Sequence, residues 1–481
     1  MAHSDHGHGA SVLNPATMQV LIGGYGGTPV SDGVQTGWGE VLPRFGAAWR
    51  PDSKTVVRGG FGLSADSNNW RFMRNDYPVV VNSSNTGLTS FAPAASLTGL
   101  NGASAGSGPY TGLFTGISLA ALPNFSSGSI PLPANVATTT IPLNFRRGYT
   151  YGYNLAVERE VTGFVVAATY VGSITTRPLS LANANYGTIL GGGNAGRILN
   201  LANGGTNYAD IAEEMPVGRS YYNSLQAKVT RKIGHSSTVG VIETWSKIID
   251  YGDNEEAGGA FLWNGPTFFS KNKGLAGYNR ASNTQAYWVY DLPFGKGQKW
   301  ANGRIGNMIV GGWQFSGVLS LLSGMPSTVT DSSYSATLND PDQQAVPNQT
   351  APVVKSKGNP CSSSCTSASP TWFSTASFTH ISTTLPPSMG NVNRNTLIGP
   401  GYFDLDGTLK RNFKIREWLT FQIEGTAIGL TNSPHFANPD TNWSDGTFGQ
   451  ITSTVGGGNA GANFGGTGGE RLLYVGGKLI F

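Results

Sequence analysis

The sequence predicts an all-β fold: an antiparallel transmembrane β-barrel, partial in extent, with long extracellular loops and short periplasmic turns. Three observations predict it. Apolar and polar residues alternate with period two over segments of about ten residues, as half-buried strands require. These segments come in pairs joined by short turns, and long stretches rich in Gly, Ser, Asn, Thr and Pro separate the pairs. Only 12% of the 481 residues are charged, yet 11% are aromatic and 68 are Gly. Disordered chains lack so many aromatics, so an ordered β-rich protein follows.

The elements follow in order. Segments 41–50 and 55–64 flank "PDSK", in which Pro51 and Asp52 form turns readily. Segments 149–160 and 164–173 flank "VTG", and 221–232 and 238–249 flank "IGHSS". Segments 283–294 and 309–322 flank a longer link containing "GKGQKW". Segments 401–413 and 418–430 flank "KIRE", and 471–481 ends the chain. Alternation is clearest where Phe403, Leu405 and Leu409 oppose Asp404, Asp406, Thr408, Lys410 and Asn412. It recurs where Phe421 and Ile423 oppose Gln422, Glu424 and Thr426. Leu225, Ala227 and Val229 likewise oppose Ser224, Gln226, Lys228 and Thr230.

The stretch "GGWQFSGVLSLLSG" poses the choice between environments. Trp313, Phe315, Leu319 and Leu321 share one face; Gln314, Ser316 and Ser320 share the other. A soluble sandwich would bury the first face, and a membrane barrel would turn it to lipid. The long segments 65–148, 174–220, 250–282, 323–400 and 431–470 favour the barrel. Long structureless loops are rare in compact soluble domains but normal on the outer side of a membrane barrel. Ten residues tilted by about 45° span about 24 Å, close to an apolar band of roughly 25 Å. Trp49, Trp288, Trp300, Trp313, Phe413, Trp418 and Phe421 gather beside the short turns. A barrel places such rings at the lipid–water boundary.

Other classes are excluded or left without support. Net charge is +4 and the longest basic cluster is a pair such as Arg231-Lys232, so no nucleic-acid stripe exists. No apolar run of about 18 residues marks a transmembrane helix, which leaves a barrel open. "MAHSDHGHGASVLNP" lacks the apolar centre of a signal peptide, so a membrane-barrel reading expects a different native N-terminus. Residues 1–40 are read as an N-terminal remnant with a candidate strand at 18–27, and residues 41–481 as the barrel.

No catalytic site, metal site or cofactor is expected. His3, His6 and His8 could bind a transition metal but sit in the remnant, and His235, His380 and His435 are scattered. "NDPDQQ" (339–344) lacks the ligand count for calcium and reads as a solvated turn. "DYGDNEE" (250–256) reads as a solvated rim. Cys361 and Cys365 have no partners for zinc; a small disulfide in an oxidising compartment is expected, with two free thiols as the alternative. Ligand contact is expected from outer-loop aromatics: Phe261, Trp263, Phe268, Phe269, Trp372, Phe373 and Trp443. They could stack on a glycan or peptide, or pin one loop to another.

Several motifs occur together in a particular order: "LPRFGAAWRPDSKTVVRGGFG", "YDLPFGKGQKW", "GGWQFSGVLSLLSGMP", "NRNTLIGPGYFDLDGTLKRNF" and "FGQITST". Between about residue 41 and residue 481 the chain thereby resembles the C-terminal barrel of the Oar-like TonB-dependent receptors of Acidobacteria and related soil bacteria. The terminal "GGKLIF", with Leu479 and Phe481 on one face, resembles the signal that outer-membrane barrels present to the barrel-assembly machinery. The resemblance implies a signal peptide, a carboxypeptidase-like regulatory domain, a plug and a barrel of roughly 22 strands. It implies an outer-membrane receptor of a Gram-negative bacterium that takes up or binds a bulky nutrient, with TonB pulling on the plug. A surface-exposed structural or adhesive β protein is the alternative. No plug or TonB box is read before residue 41, so TonB is expected as a partner only of a longer protein.

Eleven strands are read, and the first and last run towards the same side. An antiparallel barrel needs an even number. The chain is therefore expected to gain a strand from 18–27 or to be part of a larger barrel.

Overall fold

Eleven strands form one wall, and each is hydrogen-bonded to its neighbours in the sequence. They are β1 (Arg44–Asp52), β2 (Thr55–Ala65), β3 (Tyr149–Val161), β4 (Phe164–Thr176), β5 (Arg219–Ile233) and β6 (Ser237–Asp250). They continue as β7 (Ser282–Asp291), β8 (Trp313–Leu322), β9 (Tyr402–Arg416), β10 (Leu419–Ile428) and β11 (Leu472–Ile480). Their order in the sheet is their order in the chain, and every pairing between them is antiparallel. The computed structural model describes residues 11–31, 35–36, 41–65, 81–82, 125–234, 236–252, 254–255, 259–261, 264–295, 299–301, 303–334, 345–356, 366, 369–381, 388–455 and 469–481. No helix among them is long and apolar enough to cross a membrane.

The register gives the wall one apolar and one polar face. Val166, Val229, Val241, Ala286, Leu319 and Leu405 lie in one cross-strand row on the first. One residue along, Lys228, Ile242, Gln285, Ser320 and Asp404 form a row on the second. Residues that alternate along one strand thus meet their like on the next, and this pins the register. The polar face pairs its own groups: Gln314 Nε2 donates to Asp291 Oδ1 at 2.7 Å, and Gln422 Nε2 to Asn412 Oδ1 at 2.8 Å. The hydroxyls of Thr408 and Thr426 lie 2.9 Å apart on the same face.

Charges on the apolar face are few and held. Arg231 lies over the Phe164 ring at 4.6 Å. Glu243 accepts hydrogen bonds from the hydroxyls of Ser282 and Thr284. The same face carries rings at both ends. Trp49, Trp288, Trp313 and Phe413 sit beside the short turns, as expected. A second group, Tyr151, Tyr153, Tyr170, Tyr221 and Trp245, lies towards the long-loop end. Two belts separated by an apolar band are what a bilayer with two interfaces selects.

Two details explain the glycine content. Thr162 and Gly163 both have positive φ, 48° and 80°, which is the two-residue turn that matches the twist of β3 and β4. Gly172 faces Tyr153 across the β3–β4 pair, and a Cβ there would stand 2.2 Å from that ring. Gly240 beneath Tyr287 and Gly317 beneath Trp288 repeat the arrangement. Glycine lets a large ring lie flat across the neighbouring strand.

Two expectations need correction. Residues 309–312 are not strand: Arg304–Val310 is a helix, α1, closed by Gly311 and by Gly312 at φ 73°. Glycine just past the last turn ends a helix because it adopts that conformation without a Cβ clash. Residues 18–27 do not extend the wall. Gln19–Ile22 pairs with Ser11–Asn14 and Ser129–Pro131 in a small separate sheet. Among the described residues the wall is not closed: the outer edges of β1 and β11 have no strand against them.

Candidate functional site

The long connections all leave the same edge of the wall, and they fold rather than dangle. Segments from three of them build a six-stranded mixed sheet in the order 254–255, 259–261, 179–183, 211–216, 137–140, 81–82. Beside it Leu13, Met18, Leu132, Tyr208 and Ile211 form one apolar core. A second core, drawn from 323–400 and 431–455, holds Val329, Val346, Phe373, Phe378, Val392, Leu397 and Phe448. Together these segments make a cap on the long-loop edge of the wall. A cap with its own cores can hold side chains at fixed positions, as a recognition surface requires.

The cap places the expected ligand-contact residues unequally. Trp372, Phe373 and Trp443 come together in the second core. Phe373 is 1% exposed and meets Phe448 and Phe378 edge-on, with ring centroids 5.3 and 6.1 Å away. Phe373 is therefore a loop-core anchor and not an exposed stacking ring. Trp372 is half-buried and donates its Nε1–H to the Ile398 carbonyl at 3.2 Å. Trp443 is half-buried against the same core, with the His380 ring 3.8 Å from its centroid. Phe268 and Phe269 lie elsewhere, on the 3-10 segment Pro266–Asn272, which is kinked at Phe268, and Phe269 stacks on Tyr251 at 5.0 Å. Phe261 ends strand Gly259–Phe261. Trp263, Cys361, Cys365, His3, His6, His8, His235 and the segment 339–344 lie outside the described residues.

Some contacts escaped the sequence reading. His380, read as one of several scattered histidines, has its Nδ1 2.8 Å from Oδ2 of Asp331, which is fully buried. Ser333 Oγ donates to the other oxygen of Asp331 at 2.6 Å. This group ties the segment at 331–333 to the segment at 380. Asp250, read as part of a solvated rim, is instead buried and paired with Arg394, 144 residues along the chain. A buried carboxylate without such a partner would cost several kcal/mol, roughly what losing one member of a buried pair costs. Arg197 and Asp210 make a second pair at 2.7 Å beside the first core. Glu213, in strand Ile211–Pro216, has its carboxyl pushed up to about 7 by burial. Tyr25 and Tyr278 are aromatic and exposed. Glycine neighbours on the chain, as in "GGYGG" and "AGYNR", were the only signal for them. Among the described residues no three His, Cys, Asp or Glu side chains converge as a metal site would require.

The family model described as "Outer membrane beta barrel domain" matches residues 1–461. No curated protein matches the sequence. Solved structures similar to the chain include the outer membrane transporter YddB from Escherichia coli, at 8% identity and a TM-score of 0.44, covering 92% of this chain and 40% of that one. A mutant of the ferric enterobactin receptor PfeA from Pseudomonas aeruginosa gives 8% identity and a TM-score of 0.40, covering 91% of this chain and 40% of the other. The siderophore receptor PirA from Acinetobacter baumannii gives 9% and 0.39, with 91% and 40% covered. The chain thus spans 40% of the length of each of these structures.

Proposed function

This chain belongs to the family of outer membrane β-barrel domains, and on that premise we propose that it forms barrel wall and ligand-facing loops of a receptor for a bulky nutrient. It is a protein of the outer membrane of a Gram-negative bacterium, and its apolar face meets lipid. The finer reading is an Oar-like receptor, coupled to TonB when the full-length protein carries a plug. In that reading residues 41–481 are barrel, and residues 1–40 precede it. Phe481, on the same face as Leu479 at the end of β11, is the contact offered to the barrel-assembly machinery.

The observation that carries the proposal is the asymmetry of the two edges. Short turns at 53–54, 162–163, 234–236 and 417–418 close one edge, while the other bears connections that fold into cores of their own. A purely structural barrel has no need of an ordered cap on one edge. Ligand contact falls to residues at the cap surface, with Trp372 and Trp443 half-exposed over the second core and Phe268 on its own turn.

The test offers oligosaccharides and oligopeptides, as separate labelled pools, to cells carrying the full-length gene and to cells in which it is disrupted. Uptake of one pool should fall on disruption and also on collapse of the proton gradient. Intact uptake of both pools, with lost attachment to surfaces, would instead favour the adhesive alternative.

A further inference from the structure

One element is unused by this reading: α1, in the link between β7 and β8. The link leaves the short-turn edge, so it lies at the periplasmic end of the wall. Its position around the wall is fixed by Arg411. Arg411 pairs in register with Trp313 and Ile423 on the lipid-facing side. From there its guanidinium donates to the carbonyls of Ile309 at 2.9 Å and Asn307 at 3.1 Å. Trp313 Nε1 donates to the Ile309 carbonyl as well, at 3.3 Å. The cation also lies over the Phe413 ring at 4.4 Å. A positive charge at a helix C-terminus satisfies its free carbonyls and its dipole. The consequence is positional: α1 is held against the outside of the wall, level with the periplasmic aromatic belt, and not beneath the lumen.

The surface that α1 turns away from the wall is apolar. Ile305 is 72% exposed and Ile309, one turn on, 60%. Trp300, just before the helix, is 51% exposed, with Lys299 Nζ 5.1 Å from its ring centroid. Water is a poor solvent for that face. The whole link, 292–312, carries Lys296, Lys299 and Arg304 and neither Asp nor Glu. An exposed apolar face on a link whose charges are all basic, continuous with a lipid-facing belt, fits an anionic lipid surface.

We propose that α1 and Trp300 form an interfacial foot. Ile305, Ile309 and Trp300 sink into the boundary between headgroups and acyl chains of the periplasmic leaflet. Lys299 and Arg304 rest against anionic phospholipid headgroups. The foot sets the depth and tilt of the wall at the junction of β7, β8 and β9.

The experiment uses the full chain in lipid vesicles, with Cys361→Ser and Cys365→Ser, and one nitroxide label at a time at Ile305→Cys, Ile309→Cys, Leu319→Cys or Ser53→Cys. Collisions with oxygen and with a water-soluble nickel chelate are compared. Labels at 305 and 309 should show an oxygen-to-nickel ratio several-fold above that at 53, a turn residue. Phosphatidylglycerol added to phosphatidylcholine should raise the ratio further, and Lys299→Gln with Arg304→Gln should abolish only that rise. A ratio at 305 and 309 equal to that at 53 overturns the foot. A ratio indifferent to phosphatidylglycerol overturns the headgroup contact. A label at 319 that reads as water overturns the lipid-facing assignment of the wall and the foot with it, so the two failures are distinguishable.

Discussion

Phe315 and Ser316 are neighbours in the chain and face opposite solvents. Phe315 pairs with Tyr290 and Leu409 on the lipid side, and its ring lies 5.6 Å from that of Trp288. Ser316 pairs with Val289 and Thr408 on the other. Arginine at 315, two residues from the belt residue Trp313, must bring a charge towards hydrocarbon, at a cost between the roughly 0–1 kcal/mol of the interface and the roughly 2–4 kcal/mol of the midplane. Arginine at 316 enters a wet lumen and costs far less. Unfolding of Phe315→Arg and Ser316→Arg in lipid vesicles should therefore separate the two, and equal losses would count against the face assignment. Gly172 makes a second case. Gly172→Val would push its side chain into the Tyr153 ring, and overpacking of this kind costs about 1–3 kcal/mol. Gly172→Val with Tyr153→Ala should recover most of the loss in the same measurement; no recovery would mean that the backbone, not the ring, is what suffers.

The wall and the cap obey different rules as elements, and this decides what the sequence could reveal. Period-two alternation is local, so the wall was legible from runs such as 403–412 and 421–426, while strands such as 164–173, apolar on both faces, were placed by the short turns beside them. The cap is held by contacts between distant segments. Nothing near Asp250 announces Arg394, and nothing near Phe373 announces Phe448. For the same reason Phe373 looked like an exposed loop aromatic. Helix α1 was missed because a seven-residue helix is too short for its period to stand out beside a strand that begins three residues later. The cap's separate cores predict separable stability. Phe373→Ala should cost about 3–5 kcal/mol, as other large-to-small core changes do. Hydrogen exchange should then speed up across 345–356 and 369–381 and stay unchanged in β3 to β6. Acceleration of the wall as well would show one cooperative unit.

Titration offers another view of the cap. Glu213 ionises near 4.5 when unfolded and about 7 when folded, because burial disfavours its charge. Between those values the folded cap holds a proton that the unfolded chain has released. Cap stability therefore falls as pH rises from about 4.5 to about 7, by roughly 3 kcal/mol, and is level outside that window. In Glu213→Gln, amide exchange in 211–216 should lose that dependence. A mutant that keeps it would assign the effect to another group.

At the scale of the whole molecule the strongest constraint is that, among the described residues, two edges of the wall are free. β1 runs towards the short-turn side, and ten alternations later β11 runs the same way. Backbone groups left unpaired in hydrocarbon cost several kcal/mol each, so neither edge can face lipid bare. Direct closure of β11 on β1 would make them parallel. A second copy in the same orientation fails likewise, since its β1 would meet β11 in parallel. Inverting that copy would put its cap in the periplasm. Antiparallel closure therefore needs an odd number of further strands, beginning and ending with strands that run away from the short turns. Gel mobility in dodecyl sulfate without heating, a property of closed barrels, reads the outcome. This chain alone should migrate as unfolded or associated material. The chain extended by an odd number of strands from a longer gene product should migrate as a compact, heat-modifiable monomer, and extension by an even number should not. A compact monomer from residues 1–481 alone would overturn this expectation, because the eleven strands found among the described residues can close only with β1 and β11 in parallel.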